Sequence, residues 1–175
     1  MSDPGSTRRY RSWLLQALLA LAVVVAVQGW QARSLARGAA PTLSGSLLDG
    51  RSFTLGQLPA APEGPTPTLV HFWATWCPVC RFGQDGVAAI ARDYPVVTVA
   101  VQSGDAQELR AYLQEHGLSF PVLPDPDGVL SKTWGIQGVP ASFVVDGAGR
   151  IRFATAGHTT EAGLRVRLWL AGRMP

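Results

Sequence analysis

Cysteine and charge are both scarce in this chain. Two cysteines in 175 residues exclude a disulfide-stapled scaffold, and they cannot fill a zinc site without help from histidine. Asp, Glu, Lys and Arg make up only 15% of the chain against 47% hydrophobic residues, which excludes a disordered or acidic-tail protein. The net charge of +3 is unevenly placed. Arg8, Arg9 and Arg11 stand against Asp3 before the first apolar run, and from position 31 onward 12 basic residues face 11 acidic ones. A nearly neutral body offers no basic stripe, so no nucleic-acid partner is expected. No internal repeat is visible, and the length suits one compact domain plus an extension.

What is abundant is apolar sequence near the amino terminus. From Trp13 to Trp30 the 18 residues WLLQALLALAVVVAVQGW contain only Gln16 and Gln28 as polar side chains. At about 1.5 Å per residue a helix of this length approaches the roughly 30 Å hydrocarbon core of a bilayer. Tryptophan at each end suits the two water–lipid boundaries, and the arginines before the run favour a cytoplasmic amino terminus. The competing reading is a cleaved signal peptide, with Gly38, Ala39 and Ala40 as its small residues. Either reading places the remainder outside the cytoplasm. The expected organisation is an arm over 1–11, a transmembrane anchor over 12–30, a linker over 31–40 and a folded domain over 41–175.

Within the folded part, LSGSLLDGRSFTL predicts a β-hairpin turning at Asp49-Gly50. Pro59 to Pro67 reads as a surface loop, because so many prolines cannot sit in a ladder. TLVHFW (68–73) and VVTVAV (96–101) predict buried strands, with a helix from about Cys77 to Asp93 between them. Asp105 and Glu108 form a capping-box pattern ahead of a helix closed by Gly117. Strands over 141–145 and 151–155 flank DGAGR, and a last helix covers 161–171. This alternation gives an α/β sandwich.

The informative stretch is Trp73-Ala74-Thr75-Trp76-Cys77-Pro78-Val79-Cys80-Arg81, directly after a predicted central strand. A cysteine at a helix start lies near unpaired N–H groups and the positive end of the helix dipole, which favours thiolate over thiol. Cys77 is therefore the expected nucleophile. Cys80, one turn later, is placed to resolve a mixed disulfide on Cys77. Pro78 suits the first helical position, where its missing N–H costs nothing. A purely structural disulfide is disfavoured, because so short a loop restrains the unfolded chain little. A zinc site would have to recruit His71, His116 and His158, none at metal-like spacing, so no metal is assigned. A peroxide-reducing cysteine wants Pro and Thr upstream, where Val70 and Ala74 stand.

HFWATWCPVCR resembles the active-site stretch of thioredoxin-fold proteins, specifically the membrane-anchored TlpA/ResA-like thiol–disulfide oxidoreductases. With Pro-Val between the cysteines, it is most similar to the suppressor-of-copper-sensitivity D type. The resemblance covers roughly 41–171 and implies a thioredoxin-like three-layer sandwich with an added amino-terminal hairpin, preceded by one transmembrane helix. It implies that Pro140, in Gly138-Val139-Pro140, is a cis-proline facing the cysteines, and that Val139 pairs edge-on with an extended substrate. The alternative for Pro140 is an ordinary strand-start proline. Trp76 matches the tryptophan before the nucleophile and is assigned contact rather than chemistry. His71 departs from the family, standing where thioredoxins carry a buried acid. Its imidazole has a reference pKa of about 6.5, which suits proton transfer to the second cysteine. A hydrogen-bonded core histidine is the equal alternative.

The expected function is thiol–disulfide exchange on protein disulfides by a single-pass protein of the bacterial inner membrane whose redox domain is periplasmic. The resemblance implies a DsbD-like transmembrane reductase as electron donor. No organic cofactor is expected, since the cysteine pair carries both electrons. A disulfide-introducing oxidase and a copper-binding thiol protein are the two rivals.

Overall fold

The computed structural model describes residues 34–56 and 66–174, together with Trp13, Gln16, Leu18, Leu19 and Val23, which are helical. The expected arm, and all other positions of the expected anchor at 12–30, lie outside the described residues, as do residues 57–65 of the expected proline loop. Among the described residues, no helix is long and apolar enough to cross a membrane.

Among the described residues, eight strands and four helices follow Ser34: β1 (Gly38–Ala39), β2 (Ser44–Ser46), β3 (Ser52–Thr54), β4 (Thr68–Trp73), α1 (Pro78–Ile90), β5 (Val96–Val101), α2 (Ala106–Glu115), β6 (Val122–Asp125), α3 (Val129–Thr133), β7 (Ala141–Val145), β8 (Arg150–Ala156) and α4 (Glu161–Ala171). Six strands form one mixed sheet in the order β1-β8-β7-β4-β5-β6, and β2 pairs with β3 alone. β4, β5 and β6 run parallel, while β7, β8 and β1 are antiparallel to their neighbours. β4 and β5 are buried along their whole length, as expected of short apolar runs covered on both faces.

Strand alternation sends Leu69, His71 and Trp73 to one face of β4 and Val70 and Phe72 to the other. On the first face Leu69 and Trp73 join a core with Val87 and Ile90 of α1, Leu109 of α2, and Leu164 and Leu168 of α4. On the second, Phe72, Phe143 and Trp134 pack as mutual aromatic neighbours.

The expected hairpin is present, with Ser46 opposite Ser52 and the Gly50 N–H donating to the Leu47 carbonyl. It covers the open edge of β6: Leu48 N–H donates to the Val122 carbonyl, and Arg110 donates twice to the Leu48 carbonyl. An unpaired edge is thereby shielded.

The linker expected over 31–40 is corrected from Ser34 onward. β1 pairs with β8, Leu35 is buried, and Ala36 N–H donates to the Trp134 carbonyl. This stretch packs closely enough that a Cβ on Gly135 would collide with the Ser34 carbonyl. The stretch read as a linker is thus tied to the domain by strand pairing at Gly38–Ala39 and by the buried Leu35. The first helix also ends earlier than expected, at Ile90, with turns through Asp93. α2 closes as expected: Gly117, at φ 62°, lets Leu118 N–H reach the Leu113 carbonyl and ends the helix.

Candidate active site

The carboxyl end of β4 delivers the chain into α1 at the cysteine pair. Cys77 is the helix N-cap in extended conformation, Pro78 occupies the first turn, and the Cys80 N–H donates to the Cys77 Sγ at 3.2 Å. A sulfur placed as an N-cap acceptor receives a backbone donor and the positive end of the helix dipole together, which stabilises it as an anion. The two cysteines are disulfide-bonded in this structure. Cys77 is 5% exposed and Cys80 1%, so the expected order of access, Cys77 outermost, holds.

The Val139–Pro140 peptide bond is cis, as the resemblance implied, and Pro140 directly precedes β7. The Val139 carbonyl oxygen lies 3.6 Å from the Cys77 Sγ. Val139 and the cysteine pair are therefore brought together from positions 62 residues apart in sequence.

Trp76 stands 60% exposed beside the nucleophile, yet it is anchored. Its indole N–H donates to the Gln102 carbonyl at 3.0 Å, and the Thr75 N–H donates to Ser103 Oγ at 3.0 Å. Ser103 in turn donates to the Val101 carbonyl. Gln102 holds a φ of 46°, in the left-handed region that side chains other than glycine seldom adopt. Sequence reasoning passed over Gln102 and Ser103. The available signal was their place just beyond a parallel strand, where open α/β sheets gather functional groups.

His71 is buried on the α1 side of β4, with Nδ1 2.9 Å from the Ser142 Oγ of β7. Its Nε2 is buried with no partner among the described residues. Burial, helped by the positive charge that His158 can carry, pushes its pKa down to about 4. The expectation of proton transfer rested on the ordinary value near 6.5, and the structure moves the group away from it. With the disulfide formed, His71 is a neutral imidazole throughout the neutral range. Ser142, its partner, carried no sequence signal. His158 is exposed next to Gly83 of α1. His116 is half-buried and stacks on Tyr112 at 4.1 Å between ring centroids.

Among the described residues no group of three or more His, Cys, Asp and Glu side chains is placed to hold a metal ion. Val70 and Ala74, at the positions where peroxide chemistry wants Pro and Thr, are fully buried apolar residues.

Comparison with known proteins agrees with this geometry. The AhpC/TSA family model matches residues 36–154. A thioredoxin-like protein of Haemophilus influenzae is 34% identical over 125 residues, covering 71% of this chain and 72% of that protein. The thiol:disulfide interchange protein DsbE of Escherichia coli K12 is 32% identical over 172 residues, covering 91% of this chain and 90% of that protein. The crystal structure of a thioredoxin-family thiol:disulfide interchange protein from Chlorobium tepidum superposes with a TM-score of 0.63 at 26% identity, over 78% of this chain and 97% of that one.

Proposed function

This chain belongs to the AhpC/TSA family as a thioredoxin-like thiol–disulfide oxidoreductase with Cys77 and Cys80 as its redox pair, and on that premise we propose that it reduces disulfides of client polypeptides outside the cytoplasm. In the dithiol form, the Cys77 thiolate attacks one sulfur of the client disulfide. That bond breaks, one client sulfur leaves as a thiolate and takes up a proton, and the other is held as a mixed disulfide. Cys80, deprotonated, then attacks the Cys77 sulfur, re-forms the Cys77–Cys80 bond and releases the second client thiol. Two electrons pass from the protein to the client, and two protons accompany them.

The observation that carries this reading is the Cys77 Sγ, capped by the Cys80 N–H and set against the backbone of Val139. An extended client chain running beside Val139 would present its sulfur to Cys77 in the manner of strand addition. The neighbouring Trp76 supplies an apolar contact. Residues 12–30 are proposed to anchor the chain in the inner membrane, with the redox domain on the periplasmic side. An oxidising compartment supplies no reducing equivalents, so the donor is proposed to be a membrane dithiol reductase of the DsbD kind.

Trapping with Cys80→Ala in the full chain tests the proposal. A covalent mixed disulfide through Cys77 with client polypeptides, lost in the additional Cys77→Ser background, is the expected result; no trapped species would overturn it. Direction is read from the reduction potential. A value near the roughly −270 mV of thioredoxin supports reduction, and one near the roughly −120 mV of the strong periplasmic oxidant supports disulfide introduction instead.

A further inference from the structure

The chain holds a single lysine, Lys132, against 14 arginines. It sits in the last turn of α3 and is exposed. It makes no ion pair among the described residues. Its place is a groove running from Trp76 and Gln102 on one side to Ile136 and Val139 on the other. Val139, whose carbonyl approaches the Cys77 Sγ, is thus among the residues lining this groove. No Asp or Glu lines it. The nearby Asp125 carboxylate is buried and occupied in capping α3, accepting from the Leu130 and Ser131 N–H groups.

Trp76 also borders a second groove, and there the charge is opposite. That one is lined by Glu108 and Glu115 and contains no Lys or Arg. The indole, tied to Gln102, lines both the groove that holds Lys132 and the groove that holds the two glutamates. A carboxylate arriving beside Cys77 is attracted on the Lys132 side and repelled on the other.

We propose that Lys132 is a specificity residue: the groove between Trp76 and Val139 receives an acidic side chain of the client polypeptide, on one particular side of the client cysteine. This rests on the reading that polypeptide disulfides are the substrate, and it adds the chemical class of the flanking residue. Charge at an exposed rim acts mainly on encounter rate, is modest in size, and is screened by salt. The effect is therefore expected as a few-fold preference visible at low ionic strength.

The test uses the full chain, reduced and freed of reductant, mixed with symmetric disulfides of a short peptide carrying Glu, Gln or Lys immediately before or after its cysteine. The second-order rate of enzyme oxidation is followed for each. The wild type is expected to prefer Glu over Lys by about threefold to tenfold at one flanking position and not at the other, with the preference shrinking in high salt. Lys132→Gln is expected to remove the preference and Lys132→Glu to invert it. Dividing each variant's ratio by that of the wild type cancels the intrinsic reactivity of the peptides. The rate with the uncharged hydroxyethyl disulfide should be unchanged in both variants, which shows that α3 and the redox pair are intact. An unchanged Glu-to-Lys ratio in Lys132→Glu, or an equal response at both flanks, would overturn the inference and leave thiol–disulfide exchange standing. Failure to reduce any of the peptides while hydroxyethyl disulfide is reduced would overturn the polypeptide-substrate reading along with it.

Discussion

On one face of the central sheet Phe72, Phe143 and Trp134 meet in tilted and edge-on pairs, with ring centroids 4.8 to 5.8 Å apart, and carry no titratable group. On the other face His71, Ser142 and Gln84 are buried beneath or within α1, and that helix begins at the cysteine pair. Both faces are buried, but with different contents. The aromatic face is held by apolar and ring–ring contact, although the Trp134 indole N–H is buried there with no partner among the described residues. The α1 face carries more such atoms, since the His71 Nε2, Trp73 Nε1 and Gln84 Nε2 are buried with no partner among the described residues. A buried polar atom without a partner costs on the order of 1–3 kcal/mol. The comparison teaches that the buried titratable group lies on the face whose helix begins at the cysteine pair, while the aromatic face carries none.

Breaking the chemical side gives the largest effect. Cys77→Ser should bring disulfide turnover to background in an insulin-reduction assay while the far-ultraviolet circular dichroism is unchanged. On the aromatic side, Phe143→Ala should cost about 3–5 kcal/mol of unfolding free energy in urea titration, and the folded fraction should keep the wild-type reduction potential. If the potential moved, the two faces would not be separable.

The pH dependence of stability sharpens the same contrast. His71 has a folded-state pKa pushed down to about 4, first by burial and then by His158, against an unfolded value near 6.5. Between these values the unfolded chain binds the extra proton, so stability rises with pH across the window and falls as pH drops through it. The full difference corresponds to about 3 kcal/mol. It is present above about pH 6.5 and gone below about pH 4. His71→Asn should flatten that part of the stability-versus-pH curve. The same variant should leave the shape of the exchange-rate profile around neutrality unchanged, because the wild-type imidazole is already neutral there. A changed profile would support the proton-transfer role. The smallest effect is at Trp76→Phe, which keeps the aromatic wall but loses the bond to the Gln102 carbonyl. About 1 kcal/mol of ordering is lost, read as a several-fold rise in KM for a protein disulfide and none for a small one.

Much of this architecture can be read from the chain itself. β4, β5 and β7 fall where apolar runs place them, and α4 where Leu164, Leu168 and Ala171 recur along one side. The Asp105–Glu108 capping box forms as written in the sequence. The cysteines and Pro78 were legible as local features of a helix start, whereas the cis form of Pro140 was implied by the resemblance and not by its local sequence. β1 was not, because Gly38 and Ala39 have no pattern of their own and pair only once β8 exists. β6 contains Pro124, which argues against a strand anywhere except at an edge, and an edge is where it lies. α3 starts from Gly128 with no cap from its own side chain, and its donors are met by Asp125 from the preceding strand. Gln102, Ser103 and Ser142 entered the site through tertiary contacts that one-dimensional spacing does not record.

The central claim is that the start of α1 holds Cys77 as an anion. It is tested most directly by the rate of alkylation of Cys77 with iodoacetamide in the reduced full chain, followed across pH. The account predicts a half-maximal rate well below the pH of about 8.5 that governs a free cysteine. A midpoint at or above that value would contradict it.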